Sequence, residues 1–261
     1  MIVKGTDIEI IDYLYSAENE VREVVKVTDR YPDLTVEDAY ELQKQLIERK
    51  MSNGAKRAGV KLGLTSKAKQ NMMGVNEAIY GYLLSNMLAF EWEQLDSKQL
   101  IHPKAEPEIA FLMAEDLQGT DVTAEDVLKA VQYVAPAIEI IDSRYLNFHF
   151  TLVDVVADNC SSSRFIVGSK WVKPEQLDLA KIGMVMSKNG EVATVGSGAA
   201  VLGHPAEAVA WAVNKLGQRQ EGLKKGDIVL TGALSEAVAF TEGDSFIAQF
   251  DGLGSVSFTC K

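Results

Sequence analysis

Apolar residues recur at helical spacing through the first fifty-odd positions and then give way to short, strand-like runs. Residues 7 to about 26 mix apolar and charged positions at helical spacing, which predicts a first helix. Thr35-Val36-Glu37-Asp38 reads as a capping box, with Ala39, Leu42 and Leu46 on one face behind it and Gly54 as the stop. Residues 57–64 are β-like and end at Gly63; residues 66–73 suit a short helix; Gly74 and Gly81 are expected to bracket a loop. Strands are expected at 109–113, 137–141 and 165–167, with a helix capped by Thr123 and ending near Tyr133 between the first two. Lys188-Asn189-Gly190, between runs 182–187 and 191–195, is a hairpin signal. His204-Pro205 opens a helix carrying Val209, Val213 and Leu216, with Gly217 placed beyond its end. Strands at 227–231, 245–250 and 254–259 close the chain. Strands outnumber helices after residue 57 and do not alternate strictly with them. The pattern predicts an α+β protein: a mainly helical N-terminal region over 1–56, then a mixed, rolled β domain over 57–261.

Composition narrows the partners. At 261 residues and 47% hydrophobic content, the chain can bury a large core. A formal net charge of -11 disfavours nucleic acid and anionic membrane, while a small anionic substrate stays open because a local cation can invert the field inside a site. Cys160 and Cys260 lack CxxC spacing and are expected to be reduced thiols in a cytoplasmic protein. No run reaches the length of a membrane span, and the N-terminus has no basic-then-apolar signal pattern. His102, His149 and His204 are scattered and form no ligand motif.

Three glutamates in apolar, strand-like surroundings carry the chemistry. Glu106 and Glu108 are two apart in Lys104-Ala105-Glu106-Pro107-Glu108-Ile109, so on a strand they share a face, roughly 6–7 Å apart. Glu139 lies in Ala137-Ile138-Glu139-Ile140-Ile141. On an exposed face the first two are only a solvated pair. If Glu139 comes from a neighbouring strand, three half-buried carboxylates converge, and they repel or take up protons unless a cation joins them. An all-oxygen set suits Mg²⁺ or Mn²⁺.

Other segments leave two readings each. Lys61, between Gly59 and Gly63, is either an edge-strand gatekeeper or an inward charge with a task. Asp158-Asn159-Cys160-Ser161-Ser162-Ser163-Arg164 is either an ordinary polar turn or an anion-binding loop with Arg164 as its fork. Ser162 lacks the GxSxG surroundings of a hydrolase nucleophile. Gly196-Ser197-Gly198 fits a tight bend better than a ligand approach.

Taken together, Lys61-Leu62-Gly63-Leu64-Thr65-Ser66-Lys67, His102-Pro103-Lys104-Ala105-Glu106-Pro107-Glu108, Gly203-His204-Pro205 and Leu253-Gly254-Ser255 resemble the 2-hydroxypentadienoate hydratase and 4-oxalocrotonate decarboxylase group of the fumarylacetoacetate hydrolase superfamily. The resemblance covers nearly the whole chain and implies that superfamily's mixed β roll. It implies Mg²⁺ or Mn²⁺ on Glu106, Glu108 and Glu139, Lys61 as a catalytic lysine, and Thr65, Ser66, Ser161 and Arg164 as substrate contacts. Hydratases of the group usually carry an aspartate where this chain has Ile79 in Ala78-Ile79-Tyr80-Gly81, and this with Asp142-Ser143-Arg144-Tyr145 favours the decarboxylase side. The implied reaction is loss of CO₂ from 4-oxalocrotonate (2-oxo-3-hexenedioate) to give 2-hydroxypenta-2,4-dienoate. The alternatives are a hydratase acting on that product, or a stabilising subunit of such a hydratase. The implied partners are a small 2-oxo dicarboxylate, further copies of the chain and a hydratase.

Overall fold

Local chemistry starts most of the elements where the sequence placed them. The computed structural model describes residues 5–261. Helices α1 (Gly5–Asn19), α2 (Val27–Arg30) and α3 (Val36–Ser52) come first. Thr35 caps α3 in a reciprocal box with Asp38, and Ala39, Leu42 and Leu46 are buried along one face. The first helix stops seven residues short of the expectation because Val24 leaves it to bridge with Tyr145.

The remaining elements are β1 (Arg57–Gly63), α4 (Lys67–Met73), β2 (Ile79–Leu84), β3 (Leu88–Ala89), β4 (Gln94–Leu95), β5 (Lys104–Met113), α5 (Ala124–Ala130), β6 (Val131–Ile141), α6 (Leu152–Ala157), β7 (Ser162–Val167), β8 (Gly183–Lys188), β9 (Glu191–Ser197), α7 (Pro205–Gln218), β10 (Ile228–Leu230), β11 (Val238–Ala239), β12 (Ser245–Phe250) and β13 (Gly254–Cys260). Three expectations are corrected. Gly81 lies inside β2 rather than in a loop, because a Cβ there would meet the Asn159 carbonyl oxygen at 2.8 Å. Helix α5 ends at Ala130 and β6 follows at once, so Tyr133 is a strand residue. Gly217 lies within α7, where a Cβ would stand 2.0 Å from the Gly119 carbonyl oxygen.

The larger sheet has the order β2-β1-β10-β5-β6-β7-β3, with β11 on the part of β5 that β10 leaves free. Pairs β1/β10 and β3/β7 are parallel; the other pairs of this sheet are antiparallel. The second sheet runs β4-β13-β12-β8-β9, and its β12 and β13 pack against β6. This is the mixed, curled sheet arrangement expected of an α+β fold. Buried side chains of α1 and α3 join the same hydrophobic cluster as those of β1, β5 and β6. Among the described residues, no helix is long and apolar enough to cross a membrane.

Candidate metal centre and cavity

Strands β5 and β6 set the three glutamates face to face. Their register places Glu106 directly opposite Glu139, and Glu108 two residues further along the same face of β5. One oxygen of each carboxylate can be chosen so that all three lie within 4.8 Å of one another. Glu108 and Glu139 are fully buried and Glu106 nearly so. Like charges directly opposite on a sheet are destabilising, and burial multiplies the cost.

Each carboxylate has some help. Gly232 N donates to Glu108 Oε2 at 2.6 Å, and Ser162 Oγ donates to Glu139 Oε1 at 3.0 Å. Lys69 Nζ pairs with Glu106 Oε1 at 2.7 Å, and Lys61 Nζ stands 3.0 Å from Glu139 Oε2. The help is incomplete. Glu108 Oε1 has no partner, and Glu139 Oε2 has the Lys61 charge beside it but no aligned donor. Burial pushes the Glu108 carboxyl well above the usual carboxylate range, and the neighbouring Glu139 and Glu106 push the same way. Burial raises Glu139 too, against the pull of Lys61. Burial also acts upward on Glu106, but Lys69 and Lys61 outweigh it and hold that carboxyl below the usual range. Orphaned buried oxygens, a hard all-oxygen donor set and two neutralising lysines fit a divalent cation such as Mg²⁺.

The backbone that delivers these groups is unusual in two places. Pro107 sits mid-strand, where its missing N–H normally breaks a ladder. Here it falls in the gap between β10 and β11, where residues 231–237 lie against β5 instead: Leu234 N donates to the Pro107 carbonyl at 2.9 Å and Thr231 N to that of Ile109 at 3.2 Å. Gly232 in this loop has φ +109°, and a Cβ would stand 2.1 Å from Thr65 Oγ1, so glycine is required for its N–H to reach Glu108. The second place is Asn159-Cys160-Ser161, three consecutive non-glycine residues with φ of 48°, 53° and 56°. Asn159 anchors this turn by exchanging side-chain hydrogen bonds with both backbone groups of Tyr82 (2.8 and 2.9 Å). The turn brings the Cys160 carbonyl to accept from Lys61 Nζ at 3.2 Å. Burial by the surrounding core pushes the Cys160 thiol up to about 12, so it is a packed, protonated group.

A cavity of about 960 Å³ opens in front of Glu106. Ile79, Ile141, Phe148, Phe150, Val155 and Leu234 form apolar wall, while Lys61, Lys69 and Lys104 bring positive charge. Thr65, Ser66 and Ser161 also line it, and Ser161 Oγ is buried without a partner. Lys61 is thus inward and almost fully buried rather than an edge gatekeeper. Arg164 is a correction. It lines a different cleft with Gln99 and Lys261, where it donates to the Ser163 carbonyl (3.0 Å) and Gln99 Oε1 (3.4 Å). The cause is a register shift between Ile140 and Ile141: Ser162 faces Glu139, but Arg164 pairs with Ile140 on the other face. The sequence reading passed over Lys69, Lys104 and Phe148. Lys104 had a legible signal, since it is two residues before Glu106 and so on the same strand face.

Fold and site together define a buried cluster of three carboxylates, able to hold a metal ion, in a mixed, curled β-sheet. The fumarylacetoacetate (FAA) hydrolase C-terminal family matches residues 75–261. The chain is 44% identical over 248 residues to 4-oxalocrotonate decarboxylase of Pseudomonas sp. (strain CF600), covering 95% of this chain and 94% of that one. It is 42% identical over 253 residues to 2-hydroxyhexa-2,4-dienoate hydratase of Comamonas testosteroni, covering 94% and 95%. Among solved structures, 4-oxalocrotonate decarboxylase from Pseudomonas putida G7, complexed with magnesium and adipate, superposes with a TM-score of 0.97 at 41% identity, covering 100% of this chain and 99% of the other. The chain belongs to the fumarylacetoacetate hydrolase family, in the lyase group that holds these decarboxylases and hydratases.

Proposed function

We propose that this protein decarboxylates 4-oxalocrotonate to 2-hydroxypenta-2,4-dienoate and CO₂, with Mg²⁺ or Mn²⁺ held by Glu106, Glu108 and Glu139. The observation that carries the choice is Ile79. Its side chain lines the cavity beside Gly63, close to Lys61, where a hydratase of this group presents an aspartate for proton transfer during water addition. An alkyl group there moves no proton. It does suit a reaction in which a C–C bond breaks and no water is added.

A divalent ion, when bound to the triad, supplies Lewis-acid stabilisation for charge developing on the 2-oxo oxygen. The chain does the rest. Burial acts to lower Lys61, but Glu139 together with Cys160, Glu106 and Glu108 outweighs it, so the lysine stays charged and offers a fixed cation at the 2-oxo acid end. Ser161, whose Oγ has no partner, and Thr65 add hydroxyls to the cavity lining. The C5–C6 bond breaks, its electron pair forms C4=C5 while the C3=C4 pair moves to C2=C3 and the carbonyl pair to the 2-oxo oxygen. C6 leaves as CO₂, and the dienolate oxygen takes a proton from solvent to give the 2-hydroxy product. Ile79, Ile141 and Val155 give the rest of the chamber an apolar lining that disfavours water as a competing nucleophile.

The test is to incubate the purified protein and Mg²⁺ with 4-oxalocrotonate and, separately, with 2-hydroxypentadienoate. CO₂ release from the first, with slow or no loss of the second, is expected. Rapid hydration of the second without CO₂ from the first would assign the hydratase activity instead. Size-exclusion chromatography, alone and mixed with a pentadienoate hydratase, tests the accompanying expectation that the chain self-associates and pairs with the enzyme that consumes its product.

A further inference from the structure

Three lysines line the cavity, and two are engaged by the metal-centre glutamates: Lys61 by Glu139 and Lys69 by Glu106. Lys104 differs. Among the described residues no carboxylate lies within 4.0 Å of its ammonium, which instead sits 3.8 Å from the centroid of the Phe148 ring. Phe148 is placed there at a cost. Both it and Asn147 have positive φ (57° and 56°), a conformation that a bulky aromatic residue rarely adopts and that surrounding structure must enforce. Phe150, 5.6 Å from Phe148 between ring centroids, and His102, at 6.3 Å, complete the support. A cation held over a ring keeps its remaining donors free for an anion.

Position strengthens the argument. Lys104 shares the β5 face with Glu106 and Glu108, displaced outward from Glu106 by two residues, or roughly 6–7 Å along the strand. A 2-oxo acid whose oxygens address the triad extends its chain past Glu106 toward this ammonium. We propose that Lys104 is the residue that selects a second carboxylate at the remote end of the substrate, the role for which Arg164 lies in the wrong cleft. This rests on the decarboxylase reading for the identity of the substrate, but the ligand class it names is broader: 2-oxo acids ending in a second carboxylate. A tight pair holds the remote carboxylate in the ground state as well as during bond breaking, so the effect falls on binding more than on turnover.

The experiment measures binding of 2-oxoadipate and of 2-oxohexanoate, which lacks the second carboxylate, to the Mg²⁺-loaded protein by calorimetry. The wild type is expected to prefer 2-oxoadipate. Lys104→Gln is expected to weaken 2-oxoadipate about ten- to a hundred-fold, as for loss of one charge-assisted hydrogen bond, and to leave 2-oxohexanoate unchanged. Lys104→Arg is expected to keep most of the preference. With 4-oxalocrotonate as substrate, Lys104→Gln is expected to raise KM by more than it lowers kcat. Equal weakening of both ligands, or a wild type without preference, overturns the assignment. Neither binding measurement needs turnover, so a protein that prefers the dicarboxylate but releases no CO₂ refutes the proposed reaction and leaves Lys104 its role.

Discussion

Glu106 and Glu139 face each other across the two central strands, with the buried Glu108 beside them, an arrangement that costs stability unless a cation is shared. That gives a prediction with opposite signs for folding and for function. Glu108→Gln removes one of three repelling charges while its side-chain oxygen can still accept from Gly232 N. Without metal, the variant is expected to be more stable than the wild type by about 1–2 kcal/mol at neutral pH in urea titrations. It is also expected to lose Mg²⁺ binding by calorimetry. A variant that is less stable and still binds Mg²⁺ would refute the view that the triad is strained for the ion. The pairing of Glu106 with Glu108 was legible because a strand repeats every two residues. The fate of Arg164 was not: Ser162 and Arg164 are also two apart, but a register shift against β6 reverses the parity between them, and nothing in the sequence announces it.

At the scale of elements, capping chemistry was the most legible part, as Thr35 and Thr123 each cap the helix the sequence placed after them. Element ends chosen by tertiary contacts were not. Helix α5 gives way to β6 because residues from Val131 onward pair with β5. The docking of α1 onto α3 also uses a contact no local pattern shows, the half-buried Glu18 with the buried Lys50. Burial acts to raise the Glu18 carboxyl, but Lys50 and Arg144 outweigh it and hold it down at about 2, against 4.5 for the free group. A carboxyl depressed in the folded state stabilises fully above its unfolded value and loses that stabilisation as pH falls through its folded value. The window is therefore about pH 4.5 down to about 2. Glu18→Gln is expected to cost about 1–2 kcal/mol near neutral pH, less than the full shift implies because the carboxylate is partly solvated. The difference from wild type should shrink across that window and vanish below it in acid titrations followed by circular dichroism. A difference that stays constant with pH would mean that packing, not the ion pair, holds the helix.

For the whole molecule, the strand partners were the least legible feature. Strand β1 pairs in parallel with β10, whose Ile228 lies 169 residues beyond its partner Gly59, and β4 pairs with β13 at the C-terminal end. Such contacts are fixed only when the whole sheet closes. The same closure makes the proposed metal centre a property of the complete fold: its three carboxylates lie on β5 and β6, the lysines that pair with them on β1 and α4, and the backbone donor to Glu108 after β10. An unfolded chain presents no such site, so binding energy becomes folding energy. At free Mg²⁺ a hundred times the dissociation constant, mass action stabilises by about 2.7 kcal/mol. For a chain of this size that corresponds to a rise in Tm of roughly 5–10 °C over the chelator-treated protein, measured by scanning calorimetry. The rise should be lost in Glu106→Gln and Glu139→Gln, and largely kept in Lys104→Gln, whose ammonium sits over the Phe148 ring and forms no ion pair with the three glutamates. It should also track log[Mg²⁺] above saturation of the native site, as linkage requires. A Tm indifferent to Mg²⁺ in the wild type would show that the three carboxylates reach their folded arrangement by taking up protons instead, and would remove the ion from the account of both stability and catalysis.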